Sequence, residues 1–192
     1  MKTSQYRIDL VRQMADCDAN FIRLLKLMPE LESFRERCCQ LGQTCLSSSE
    51  KLHDYAQTSR NETNVEPSKR VAEEYVRDFL LSATNEETEQ KVRISVVEVF
   101  RYTSTLSIQQ LTRVSDWIDP PGILVRVYHD ASTAEAVAYQ GHKAFLAKYA
   151  IPNPTMYHQD EKRQINEFLG EWLSLCLQAG RSVKTPTFTC AA

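Results

Sequence analysis

Glycine is scarce in this 192-residue chain, five in all, and that scarcity removes whole classes of chemistry. A phosphate-cradling loop, a dinucleotide fingerprint and the GxSxG elbow each need several glycines at fixed spacing, and none is present. An HExxH zinc helix is missing as well. No apolar run approaches the roughly 20 residues that span a bilayer, and Met1 to Leu10 lacks the apolar core of a secretory leader. The expectation is a cytoplasmic chain without a membrane segment. An excess of one charge is also lacking: 23 basic and 25 acidic residues leave a net charge of −2. Nucleic acid is therefore not an expected partner, because binding it rests on neutralising phosphates.

The six cysteines form no CxxC pair. Without a secretory leader they are read as reduced, small apolar side chains rather than a disulfide framework. Cys38 and Cys39 with Cys45 and His53 fail as zinc ligands, since adjacent cysteines at uneven spacing do not match the structural knuckles. No metal and no cofactor is expected.

What is present suits an ordinary folded chain, 42% apolar and 25% charged, long enough for one core. A single α+β domain over 1–192 is the expectation. Leu10, Val11, Met14, Cys17, Phe21, Leu24, Leu25 and Met28 recur at helical spacing, and Pro29 should end that helix. Leu31, Phe34, Cys38 and Leu41 predict a second, shorter helix closed by Gly42, so that helices occupy 1–46. The stretch 47–90 reads as a polar insertion, with Tyr75 to Leu81 ambiguous between helix and a first strand. Within 91–150, Val92, Ile94, Val96, Phe100 and Tyr102 alternate with polar residues and predict a strand. Leu106 to Leu111, Ile123 to His129 and Ala134 to Tyr139 follow at short intervals, which suits an antiparallel β-meander of four to five strands. A long amphipathic helix over 157–180 should pack on one sheet face through Ile165, Phe168, Leu169, Trp172, Leu173, Cys176 and Leu177. Asp160 is its expected N-cap and Gly180 its end. Residues 181–192 are read as a tail.

Several stretches carry a resemblance. They are Met14-x-x-Cys17-x-x-Asn20-Phe21, Glu98-x-x-Arg101-Tyr102-Thr103, Arg126 to Ala131 with Ala134-Glu135, and His158 to Leu169 continuing through Trp172-Leu173 and Cys176-Leu177 to Gly180. Together they cover most of 6–46 and 92–181, and the chain resembles the YqiB-like family of bacterial proteins, a domain of unknown function. The resemblance implies that Tyr75 to Leu81 is a strand leading into the sheet. It implies no activity, and it does not extend over the polar region from Ser47 to about Thr88.

Candidate site residues are polar groups in positions that need a partner. Glu98 shares a strand face with Val96 and Phe100, so its carboxylate should be paired, Arg126 being the expected cation. Arg126, Tyr128 and Asp130 share one face near Glu135, while His129 points to the other as a core histidine with one hydrogen bond. His158, Asp160 and Lys162 stand at the start of the last helix, where free N–H groups can receive an anion or be capped. Arg101 and Tyr102 complete the set. The leading reading is a non-catalytic regulatory or interaction module with an unidentified protein partner at the Arg126 to Asp130 corner. The alternative is a small-molecule or nucleotide ligand, with hydrolysis included, in one pocket of Glu98, Arg126, Tyr128, Asp130 and Lys162. RNA binding by Arg93 and Arg101 on the polar sheet face, with Thr103 and Tyr128 nearby, ranks third, because no aromatic stacking platform is evident.

Overall fold

The computed structural model describes residues 9–40, 75–81, 89–113, 120–139, 142–143 and 160–183. Helix α1 (Leu10–Leu27) starts at Asp9, whose carboxylate accepts the Arg12 N–H at 3.1 Å as a true cap. It ends at Met28, just before Pro29, as the missing proline N–H requires. Helix α2 (Leu31–Gln40) follows and buries Leu31, Phe34 and Cys38. Gly42 lies outside the described residues.

The sheet comprises β1 (Val76–Leu81), β2 (Gln90–Val99), β3 (Thr103–Gln110), β4 (Gly122–Tyr128), β5 (Thr133–Tyr139), the two-residue β6 (His142–Lys143) and the short β7 (Gly180–Ser182). Helix α3 (Glu161–Ala179) precedes β7. The order is β6-β5-β4-β3-β2-β1-β7, and every pairing is antiparallel. The architecture is α+β, as the sequence implies, with β1 a strand and a meander running through six consecutive strands, β1 to β6. The count of four to five falls short by the two short edge strands. Arg181 and Ser182, expected in the tail, pair with β1 together with Gly180, the expected helix end. Gly180 makes that reversal possible, since a Cβ there would sit 2.3 Å from the Cys176 carbonyl oxygen.

All three helices contribute to one core on one sheet face. Phe21, Leu24 and Met28 of α1, Leu31 and Phe34 of α2, and Leu169, Trp172 and Leu173 of α3 meet Val92, Ile94, Leu106, Ile108, Ile123, Val125 and Val127. Each of the large side chains buried there contributes roughly 1.5–3 kcal/mol. Strand β5 places Ala134 and Ala136 within this core, with Tyr139 packed against its edge, and the two small side chains let α1 and α3 come close to the strand backbone. Among the described residues no helix is long and apolar enough to cross a membrane.

Alternation in β2 breaks where the sequence reads straight through. The register with β3 shifts between Val96 and Glu98, so the extra residue of a β-bulge returns Val99 to the core. Phe100 and Tyr102, expected in the core, are 45% and 54% exposed beyond the strand end. Glu98 is correspondingly turned to the face away from Val96, opposite Thr105.

On the outer surface of β1 and β2, Asp78 receives two bonds from Arg93, at 2.8 and 2.9 Å, and lies 3.0 Å from the Lys91 ammonium. The hydrogen bonds from Arg93 chiefly hold Asp78 down to about 2, against an ordinary 3.8. A carboxyl depressed on folding adds stability that is complete above about pH 4 and is lost as pH falls through 2. Asp78→Asn should therefore lower thermal stability at pH 7 and leave it nearly unchanged at pH 2. An equal loss at both pH values, in melts followed by circular dichroism, would exclude the charge as the cause.

Candidate functional site

The residues singled out from the sequence do not converge on one pocket. Glu98, 5% exposed, accepts the Thr105 hydroxyl at 3.1 Å. Among the described residues that hydroxyl, not the Arg126 guanidinium, is what meets the carboxylate. Arg126 stands one strand further on, between Thr105 and Glu135 in the cross-strand register. Tyr128 donates to Glu135 at 3.0 Å, and Lys162 reaches the other oxygen of Glu135 from α3 at 2.7 Å. Lys162 thus closes a local network instead of marking an anion site at the helix start.

Asp160 occupies the N-cap position of α3 but makes no side-chain cap bond. Its carboxylate is instead taken by Arg163 and, at 2.9 Å, by the Gln164 side chain. The expected cap is corrected accordingly: a guanidinium one turn along competes for the same oxygens as a backbone N–H and adds charge to the bond. His158 lies outside the described residues.

Arg101, Tyr102 and Asp130 do come together. They line a cleft of about 380 Å³ with Glu32, Arg35, Glu36 and Cys39 of α2 and with His129. Two turns build its sheet side. The β2–β3 connection is closed by the Phe100 N–H donating to the Thr103 carbonyl at 2.8 Å. The β4–β5 connection passes through Ser132 at φ 56°, and the Asp130 carboxylate accepts the Ala131 N–H within it at 3.0 Å. The His129 N–H donates to the Tyr102 carbonyl at 2.9 Å and ties the two turns together. Arg35 holds α2 to them by donating to the Arg101 carbonyl at 3.0 Å.

Among the described residues, two atoms in this wall are left without partners. His129 meets the Ser104 hydroxyl through Nε2 at 2.8 Å, and its Nδ1 is buried and unbonded. The Nε of Arg35 is likewise buried with no acceptor. Each such group costs roughly 1–3 kcal/mol, more when charged. Burial, and next the nearby Arg35 charge, push His129 down to about 4, so the imidazole is neutral at pH 7. At the rim Arg101 stacks over the Tyr102 ring, 5.1 Å from its centroid.

Glu32, Arg35, Glu36, Cys39 and His129, which also line the cleft, are not among the site residues the sequence offers. Arg35 reads as one charge among several on the polar side of a short helix, and no local pattern connects it with a turn 66 residues later. The sequence reads His129 as a core histidine with one hydrogen bond; its side chain makes one, but the residue is only partly buried, and its second nitrogen on the cleft wall carries no sequence signal.

Other chemistry is limited. Burial raises the Cys17 and Cys176 thiols to about 11, which removes them as nucleophiles at neutral pH. Cys38 is buried and Cys39 exposed, so the adjacent pair does not face one centre, and Cys45 and His53 lie outside the described residues. Among the described residues no group of three or more His, Cys, Asp or Glu stands ready for a metal ion.

Fold and site define a class: an antiparallel sheet covered on one face by three helices, with a charged cleft where α2 meets two strand turns. The family described as "Protein of unknown function (DUF1249)" matches residues 23–182, and the chain belongs to it. The chain is 41% identical over 88 residues to "Uncharacterized protein YqiB" of Escherichia coli strain K12, and equally to the proteins of that name from strains O6:H1 and O157:H7. The match covers 46% of this chain and 63% of each relative, so it spans somewhat under two thirds of their length. No solved structure matches.

Proposed function

We propose that the protein is a non-catalytic interaction module whose working surface is the α2 cleft and the turn beside it. The observation that carries this reading is the run Phe100-Arg101-Tyr102, exposed at the cleft edge in a tight turn. Exposed aromatic and arginine side chains on a rigid support are the residue types that dominate binding energy at protein interfaces.

A hydrolytic reading has one feature in its favour, the Ser104–His129 hydrogen bond. It fails on access and on basicity. Ser104 is fully buried, and a histidine pushed to about 4 is a weak base at neutral pH. The RNA reading loses Arg93 to its two bonds with Asp78. A cleft of about 380 Å³ lies near the small end of the roughly 300–1,000 Å³ usual for ligand sites, which suits a peptide side chain better than a nucleotide.

Affinity capture from native lysate tests the reading. Wild-type protein should retain a partner in stoichiometric amount, and Arg101→Ala with Tyr102→Ala should weaken that retention by about thirtyfold, the effect of losing a 2 kcal/mol hot spot. Both turn residues are exposed, so the double variant should melt as the wild type does. Undiminished retention by a well-folded double variant moves the interface elsewhere, and no stoichiometric partner overturns the module.

A further inference from the structure

We propose that the exposed side of α1 is a second docking surface, taking an amphipathic partner helix that brings an arginine or lysine to Asp18. The surface lies apart from the α2 cleft and does not depend on the reading of that cleft. Leu10, Val11 and Met14 read from the sequence as the start of a core stripe, yet they are 63%, 82% and 47% exposed. The first buried residue of the helix is Cys17. The turns before it place nothing in the core, whereas a helix in a folded protein draws most of its stability from packing an apolar face. Ile22, 54% exposed, extends the apolar surface toward the other end.

At about 100° per residue, Val11, Ala15, Asp18 and Ile22 fall within about 60° of one another, with Met14 beside them. All five are exposed. The buried set of Cys17, Asn20, Phe21, Leu24 and Leu27 points almost the opposite way, so this stripe is a separate face and not the margin of the core. Asp18 alone interrupts it. Its neighbours three and four residues away are Met14, Ala15, Phe21 and Ile22, which leaves no cation of α1 placed to pair with it along the helix. Among the described residues Asp18 has no ion-pair partner.

A carboxylate set among exposed apolar side chains is complementary to an apolar surface built around one positive charge. An amphipathic helix supplies that surface, because it docks through residues at i, i+3, i+4 and i+7. The run from Val11 to Ile22 is about 16 Å long, room for about three turns of such a helix. A second copy of α1 is disfavoured. Two of these stripes laid together, parallel or antiparallel, bring their Asp18 carboxylates within about one turn of each other with no cation between them, and like charges at that spacing repel.

Titration of the isotope-labelled full chain with two designed helical peptides tests this. Both are about three heptads long with leucine at positions a and d; the first carries arginine at its central a position, the second glutamate. The arginine peptide should shift the amide signals of Leu10 to Ile22 and bind about tenfold more tightly than the glutamate peptide. Asp18→Lys should reverse that order. Val11→Glu with Ile22→Glu should remove binding of both peptides, and because both positions are exposed that variant should melt as the wild type does.

Failure of the arginine peptide to bind, equal binding of the two, or shifts confined to residues outside α1 overturns the proposal. So does a wild-type chain that sediments as a dimer and becomes monomeric in the Val11→Glu, Ile22→Glu variant, which gives the face to a second copy. Binding to vesicles of phosphatidylcholine and phosphatidylglycerol that the same variant loses gives it to a membrane surface and overturns the partner helix as well. Capture through Arg101 and Tyr102 is unaffected by any of these results, so the two surfaces fail separately.

Discussion

Replacing Asn166 by alanine should lower the unfolding free energy by about 2–4 kcal/mol, more than its size alone would suggest. Asn166 is buried on α3, and its side-chain oxygen accepts the Ala136 N–H at 2.8 Å while its amide donates to the Lys162 carbonyl at 2.9 Å. Among the described residues strand β6 pairs with Ala138 and Tyr139 alone, so the side chain of a helix takes the place of a neighbouring strand at Ala136. Alanine would leave that N–H buried without an acceptor and open a cavity beside it. Urea denaturation at neutral pH measures the loss. A value under about 1 kcal/mol would show that water or a shift of α3 replaces the bond, and that Asn166 does not anchor the helix to the sheet edge.

Asn166 and Asn20 also show where sequence reading reaches its limit. The apolar stripe of α3 is legible from Ile165 to Cys176 because helix period and burial largely agree, although Phe168 and Leu177, read as part of it, are each 38% exposed. The polar residue inside that stripe looks like an interruption, although it fixes the helix against β5. The same applies to β2. Alternation from Val92 to Val96 is correct, but a bulge is a single unpaired residue whose place depends on the partner strand. The pattern therefore runs on into Phe100 and Tyr102 and assigns Glu98 to the wrong face. Strand β7 is three residues long, and its pairing with β1 joins positions about 100 residues apart, beyond any local signal.

The cleft was half legible for a similar reason. Asp130 stands out at the end of a predicted strand, but alternation puts Arg101 and Tyr102 inside one, and it is the end of β2 at Val99 that leaves both in a turn where polar and aromatic side chains are free to serve a partner. Their meeting with α2 depends on the packing of Phe34 and Cys38 into the core, which sets the helix beside the two turns. A sequence shows that Phe34 is a core candidate. It does not show which charged neighbour that packing aims at a loop far along the chain.

Gly170→Ala should destabilise the protein by about 1–3 kcal/mol, the usual range for overpacking, against the ordinary expectation for a glycine inside a helix. Within an isolated helix that change gains roughly 0.5–1 kcal/mol of propensity. Here a Cβ on α3 would lie 2.9 Å from the Asn20 side-chain oxygen and 3.4 Å from Arg23 Nη1 on α1. Asn20 has no room to yield: it is buried, its amide donates to the Asn166 carbonyl at 3.0 Å, and its oxygen accepts from Arg23 at 3.1 Å. The methyl group must either break those bonds or push the two helices apart. Gly170→Leu should be worse, to the point of little folded protein at 37 °C. Thermal melts of the alanine variant decide by sign alone, since a rise in Tm means that the helices are not held at this crossing by close contact. A fall that Asn20→Ala reverses in the double variant would identify the Asn20 side chain as the obstacle, because removing it makes room for the new methyl group.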